Sequence, residues 1–317
     1  MSKLDCMSRR QFLGAFGAAT AAIAGLGLVG CGNSGSADAN AASDAKDAAA
    51  AISGTVNCSG ATSFQKLVES AAHKFEDKNP DVTIAITGGG SGQGLSDVKD
   101  GKAQIGRSDV FAEEKLDADA VSKLEDHTVC VVGMGPVVNS NVDVDDLTTE
   151  QLRGIFTGAI TDWSEVGGTA GKIQVIERKA GSGTRATFEA AVLAGEKAPE
   201  SFAPVAEEDS SGTVVDKIAQ TEGAISYLAF SYYDDTKFKA LKVDGVEPTA
   251  ENVCAGKFNI WAYEHMYTAK DADDATKAFI DFMMSDDVQG KLVEEEGFIP
   301  ASDMLVAKDA KGNVSSK

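Results

Sequence analysis

Val82-Thr83-Ile84-Ala85-Ile86-Thr87-Gly88-Gly89-Gly90-Ser91-Gly92-Gln93-Gly94 changes character in the middle. Val82, Ile84 and Ile86 alternate with Thr83, Ala85 and Thr87, the period-two pattern of a half-buried strand. The strand runs into a loop of Gly and Ser, and a helix is expected from there to Lys99. The same order of strand, small-residue loop and helix recurs on both sides. Upstream, a short strand over 55–58 precedes Gly60-Ala61-Thr62-Ser63, after which Phe64, Leu67, Val68, Ala71 and Phe75 recur at helical spacing up to Asn79-Pro80. Downstream, Ile105-Gly106 reads as a strand that ends at Arg107-Ser108-Asp109. The almost continuously apolar run 128–138 reads as a buried strand, with Pro136 weakening its pairing. Beyond it come a helix over 148–156, a strand over 173–176, the loop Ala180-Gly181-Ser182-Gly183-Thr184, helices over 185–193 and 213–219, and a strand over 224–228. Two tail helices are expected over 273–284 and 286–296. Strands alternating with helices make the class α/β.

Three of the loops, at 60–63, 88–94 and 181–184, open helices. A helix N-terminus leaves backbone N–H groups unpaired and carries about half a positive charge, so it attracts anions. Ser and Thr add hydroxyl donors, and Gly lets the backbone approach a ligand. One such loop alone is an ordinary cap or tight turn. Three converging ends would hold a small oxyanion without net positive charge on the protein. Arg178, just before the third loop, and Asp109, at the end of the third strand, would add a planar fork of donors and one acceptor.

Composition restricts the alternatives. The chain has 317 residues, 43% hydrophobic and 25% charged, enough for a real core in about two domains. With 29 Lys+Arg against 49 Asp+Glu the formal net charge is −20, which argues against nucleic-acid binding. His73, His127 and His265 are far apart in sequence, and the five Cys form no CxxC pair, so no zinc or di-metal site is signalled. No cofactor is expected either. Gln93 stands where the dinucleotide fingerprint would need Gly, and Gly101-Lys102-Ala103 is not a P-loop. Ser182 lies in Ala-Gly-Ser-Gly-Thr rather than G-x-S-x-G, with no His nearby in sequence.

The first residues are an address. Ser8-Arg9-Arg10-Gln11-Phe12-Leu13 is a twin-arginine signal, and the apolar stretch behind it ends in Leu28-Val29-Gly30-Cys31, which resembles the bacterial lipobox. Residues 1–30 are then a signal peptide, and Cys31, the new N-terminus, takes a diacylglycerol on its thiol, with palmitate among the acyl groups of the anchor. A single spanning helix is the alternative reading of the same stretch. Residues 31–51 read as the lipidated Cys and a flexible tether, lacking any aromatic or β-branched residue. The mature chain carries 26 basic and 48 acidic residues, near −22. If Cys31 is lipidated, Cys58, Cys130 and Cys254 remain, and at least one is free.

Taken in order, the segments Gly60-Ala61-Thr62-Ser63, the glycine run ending Ser91-Gly92, Ile105-Gly106-Arg107-Ser108-Asp109, LRGIFTGAITDW (152–163), Arg178-Lys179-Ala180-Gly181-Ser182-Gly183-Thr184-Arg185 and GAISYLAF (223–230) resemble the phosphate-binding solute receptors of bacterial ABC importers. The resemblance runs through almost the whole mature chain. It implies a two-lobed, periplasmic-binding-protein-like fold of type II, with phosphate in the cleft between hinged lobes. Lobe I would be residues 52–134 plus 259–317, and lobe II residues 135–258. The phosphate-binding residues carried over by motif are Thr62, Ser63, Ser91 and Asp109 from the first lobe and Arg178, Ser182, Gly183 and Thr184 from the second. Ala180 stands where relatives often place an acidic residue that orients the arginine. That leaves open whether another carboxylate holds Arg178 or whether it is less fixed.

The implied activity is binding, not catalysis. An extracytoplasmic protein, lipid-anchored to the outer face of the cell membrane, would bind inorganic phosphate and deliver it to the transmembrane subunits of an ABC permease. Phosphate at neutral pH still carries a proton that a buried carboxylate can accept, whereas sulfate carries none and is repelled. Asp109 is the residue expected to discriminate. The rivals are a receptor for sulfate or molybdate, a secreted phosphohydrolase, for which no metal set or nucleophile–base pair is in view, and a surface sensor or adhesin on the same frame.

Overall fold

The computed structural model describes residues 52–196 and 198–317, so the signal segment, Cys31 and the tether lie outside the described residues. In chain order the strands are β1 (Gly54–Gly60), β2 (Val82–Gly89), β3 (Ile105–Ser108), β4 (Leu124–Asn139), β5 (Asp146–Leu147), β6 (Gln174–Arg178), β7 (Ala206–Glu208), β8 (Ala224–Ala229), β9 (Phe238–Ala240), β10 (Lys242–Val243), β11 (Trp261–Ala269), β12 (Val306–Lys308) and β13 (Val314–Ser316). The helices are α1 (Gln65–Lys78), α2 (Ser91–Lys99), α3 (Ala118–Val121), α4 (Thr149–Phe156), α5 (Gly183–Val192), α6 (Ser211–Gln220), α7 (Ala250–Cys254), α8 (Asp274–Met283), α9 (Asp286–Gln289) and α10 (Leu292–Glu295).

One mixed sheet organises the chain, in the order β2-β1-β3-β11-β4-β8-β6-β7, with β9 also pairing β4. Its two flanks are parallel: β1 pairs in parallel with β2 and β3, and β6 with β7 and β8. Between the flanks β11 and β4 run antiparallel. The long strand β4 changes partners halfway. Residues up to Gly133 pair with β11, and from Met134 onward they pair with β8. This is the two-lobed α/β arrangement of the type II binding-protein fold, with one strand belonging to both flanks.

The helices close the flanks by ordinary amphipathic burial. α1 buries Leu67, Val68, Ala71, Ala72 and Phe75, and Phe75 meets Phe279 of α8 edge to face at 5.2 Å. On the other flank Phe188 of α5 stacks on Tyr227 of β8 at 4.3 Å. Each such buried aromatic contributes roughly 1.5–3 kcal/mol relative to exposure. Cys58, Cys130 and Cys254 are free thiols. Among the described residues no helix is long and apolar enough to cross a membrane.

Two expectations need correction, and one strand is new. The second tail helix is two short ones, α9 and α10, because the chain breaks at Gly290-Lys291, where Lys291 leaves helical geometry at φ −147°, ψ −44°. Pro136 does not weaken the strand: it stays in register with Tyr227. Its carbonyl accepts from Leu241 N on the β9 side, so its missing N–H falls where pairing with β9 is only beginning. Strand β11 was not anticipated, although Trp261, Tyr263, His265 and Tyr267 alternate along it.

Candidate functional site

In open α/β sheets ligands sit beyond the carboxyl ends of parallel strands. Here the carboxyl ends of both flanks meet. Thr62 and Ser63 follow β1, Ser91 follows β2, Asp109 follows β3, Arg178 ends β6, and α5 and α6 open just after β6 and β7. The loops touch directly, since Gly92 N donates to Gly181 O at 3.0 Å. Gly183 has no room for a side chain: a Cβ there would fall on Ser91 Oγ and lie 2.8 Å from Asp109 Cβ. Gly90, at φ +82°, likewise faces the Gly181 carbonyl.

Asp109 is the centre of the arrangement. It is 4% exposed, and Ser63 Oγ donates to its Oδ1 at 2.6 Å while Thr184 Oγ1 donates to its Oδ2 at 3.0 Å. Ser91 Oγ lies 3.4 Å from Oδ1 and accepts from Asp109 N at 2.9 Å. Arg178, 1% exposed, points into the same space and donates to Thr62 Oγ1 at 3.2 Å and to Ser211 Oγ at 3.2 Å. Burial pulls its guanidinium below the usual value and the Asp109 charge pulls it back. A guanidinium so placed remains charged.

Neither alternative for the orientation of Arg178 holds. Main-chain carbonyls fix it: Nε donates to Glu208 O at 3.2 Å and Nη2 to Asp209 O at 3.1 Å. Its own carbonyl accepts from Arg185 Nη1 at 2.7 Å, and Arg185 is in turn paired with Glu177 at 2.8 Å. Ala180 therefore costs the arginine no rigidity. Ser182 plays a separate part, capping α5 by accepting from Arg185 N at 3.2 Å. All eight candidate residues are thus in one place, with hydroxyls and a guanidinium as donors and one carboxylate as acceptor. The N-termini of α1 and α2 have no side-chain cap, which leaves first-turn N–H groups free of that competition.

Sequence reasoning missed several members. Ser211 belongs to a fourth loop of the same type, Ser210-Ser211-Gly212-Thr213, which also opens a helix, so its signal was present. Ser211 N donates to Thr62 Oγ1 at 3.1 Å, tying the flanks together. Arg107 is fully buried and holds the carbonyls of Ala61 at 2.9 Å and Thr87 at 2.5 Å, framing the first two loops. Tyr232 OH donates to Thr62 O at 2.7 Å, and burial pushes that phenol up to about 12. Glu264 of β11 is completely buried, with neither carboxyl oxygen hydrogen-bonded. Among the described residues no group of three or more His, Cys, Asp or Glu could hold a metal ion.

Comparison with known proteins finds relatives over most of the chain. Residues 45–287 match the model of the PBP superfamily domain. The phosphate-binding protein PstS of Bacillus subtilis is 48% identical over 263 residues, covering 83% of this chain and 86% of that protein. A Clostridium perfringens substrate-binding protein assigned to phosphate ABC transport, crystallised with bound phosphate, superposes with a TM-score of 0.72 at 34% identity, over 78% of this chain and all of the other. A Vibrio cholerae ABC-type phosphate transport receptor superposes at 0.62 with 30% identity, over 77% of this chain and 99% of that one.

Proposed function

Because the chain belongs to the PBP superfamily, and within it to the phosphate-binding receptors, which are binding proteins rather than enzymes, we propose that it captures inorganic phosphate outside the cytoplasm and delivers it to an ABC-type permease. The observation that carries this reading is Asp109: one buried carboxylate, ringed by the hydroxyls of Ser63, Ser91 and Thr184 and faced by Arg178. Donors alone would accept any tetrahedral oxyanion. An acceptor among them admits a ligand that still carries a proton and repels one that does not. Thr62, Ser63, Ser91, Ser182, Thr184 and Arg178 are the donors in this reading, and Gly183 supplies close backbone approach.

The lobes proposed are 52–134 with 259–317, and 135–258. The change of partner along β4 between Gly133 and Met134 supports that boundary. Cys31, lipidated after removal of residues 1–30, anchors the protein to the outer face of the membrane, with 31–51 as its tether. Titration of purified, delipidated protein with phosphate, sulfate and molybdate tests the function. Phosphate is expected to bind at least about tenfold more tightly than the other two, ~1.4 kcal/mol. Equal or tighter binding of sulfate or molybdate overturns the phosphate assignment, and turnover of a phosphomonoester overturns the receptor reading.

A further inference from the structure

Glu264 has a position that the binding reading does not explain. It lies on β11, where His265 is in antiparallel register with Ser108, so Glu264 stands beside Asp109. On its other side it pairs with Cys130 of β4, and the register slips between Glu264 and His265, leaving Val129 unpaired. Bulges of this kind re-aim a side chain and gather near functional sites. The carboxyl group is completely buried, and neither oxygen has a hydrogen-bond partner. An ionised carboxylate in that state is costly, whereas a neutral acid is far less so.

The two carboxyl groups are unequally served. Asp109 accepts from Ser63 and Thr184 and has Ser91 close by, all of which stabilise its charge. Glu264 accepts from none. Of the two, Glu264 is therefore the one on which a proton costs least. Burial, and after it the Asp109 charge, push Glu264 well above the usual carboxylate range. The groups that act on it are Asp109 and Arg107 from β3 and its end and Ser63 from the loop before α1. Cys130 of β4 and Tyr232 beyond β8 feel its charge in turn.

We propose that Glu264 is a positioning and specificity residue of the oxyanion site, held as the neutral acid behind Asp109 so that the site carries one negative charge and not two. As the neutral acid it adds no charge beside Asp109, whose carboxylate stays with the hydroxyls and the ligand. Ionised, it would put a second negative charge beside a bound oxyanion and weaken binding. The role rests on the phosphate-binding reading above.

The test compares wild type with E264Q, which keeps the shape of the neutral acid but cannot ionise. Phosphate dissociation constants are measured for both between about pH 6 and pH 10, so that changes in the ligand's own protonation cancel in the ratio. Relative to E264Q, wild type is expected to weaken by about tenfold or more from neutral pH toward the alkaline end. A second readout does not depend on binding: the infrared band of a protonated carboxylic acid, present in wild type labelled at glutamate and absent from E264Q. If E264Q does not fold, the band in labelled wild type decides. Parallel pH profiles, or no such band at neutral pH, overturn this role while leaving the receptor intact. No phosphate binding by wild type overturns the receptor reading and with it this role.

Discussion

At Asp109 the hydroxyls that hold the carboxylate are also the donors a ligand would need, so binding exchanges partners within one cluster. Asp109→Asn keeps the size, removes the charge and can turn an N–H₂ toward the ligand. Sulfate should gain and phosphate change modestly, narrowing the ratio of their dissociation constants about tenfold, ~1.4 kcal/mol. The ratio at fixed salt and pH is the measurement, and an unchanged ratio removes Asp109 from selectivity. Behind Arg178, Glu177 is buried against Arg185 at 2.8 Å, and Arg185 also binds Glu189 at 2.7 Å and Glu207 at 3.2 Å. Burial above all raises Glu177 to about 7, with Arg185 pulling it down and Glu189 and Glu207 adding repulsion. Its unfolded value is about 4.3, so between the two the native state holds more protons and its stability falls as pH rises. Glu177→Gln removes that fall. Urea unfolding at about pH 5 and pH 8 should show the variant gaining roughly 1–3 kcal/mol on wild type across the interval. A difference independent of pH would refute it. The residues legible in the sequence were those in three of the Gly/Ser loops, with Asp109 and Arg178 at the strand ends beside them. Glu264 and Arg107 were illegible, because a buried charge on a strand looks like any other charge until its neighbours are known.

Among the elements, strands ending in small-residue loops were readable because period-two alternation and a glycine run are local signals. The strand β11 has alternation too, but its aromatic and charged residues are almost all buried, so the contrast of buried and exposed faces is lost. The split of the last helix depended on a single glycine and its successor, and element boundaries of that kind are set by tertiary packing. The first turn of α5 gives the element-level prediction. Gly183 opens that helix where it meets Ser91 and Asp109 from the opposite flank, and a Cβ there lands on Ser91 Oγ. Its φ is not in the left-handed region, so alanine suits the helix itself and only the approach of the flanks is obstructed. Gly183→Ala should therefore lower the ligand-free unfolding midpoint, by the ~1–3 kcal/mol that overpacking costs, and weaken phosphate binding by about tenfold or more. Calorimetric titration beside thermal unfolding separates the two effects. Equal affinity would mean that the loops do not come this close when the ligand is bound.

For the whole molecule the puzzle is an anion site in a chain of formal net charge −20. The donors reconcile it at short range: Arg178 and the hydroxyls act within hydrogen-bond distance in a space from which water is largely excluded, where each counts for more than it would in solvent. At long range nothing reconciles it. An approaching phosphate meets the summed field of an acidic protein, and that field extends about 30 Å at 0.01 M salt but about 8 Å at 0.15 M. The association rate of phosphate should accordingly rise with chloride concentration over that interval, by roughly two- to threefold, the reverse of electrostatic steering toward an oppositely charged cleft. The dissociation rate should hardly move, since the contacts that set it are buried and poorly screened. Stopped-flow fluorescence at constant pH, with phosphate mixed at several salt concentrations, separates the two constants. Trp261, buried at the start of β11 where the flanks join, is a suitable reporter. An association rate that falls with salt would show that the field of Arg178 and its neighbours reaches beyond the cleft and outweighs the acidic surface. The affinity would then depend on long-range attraction as well as on the loops.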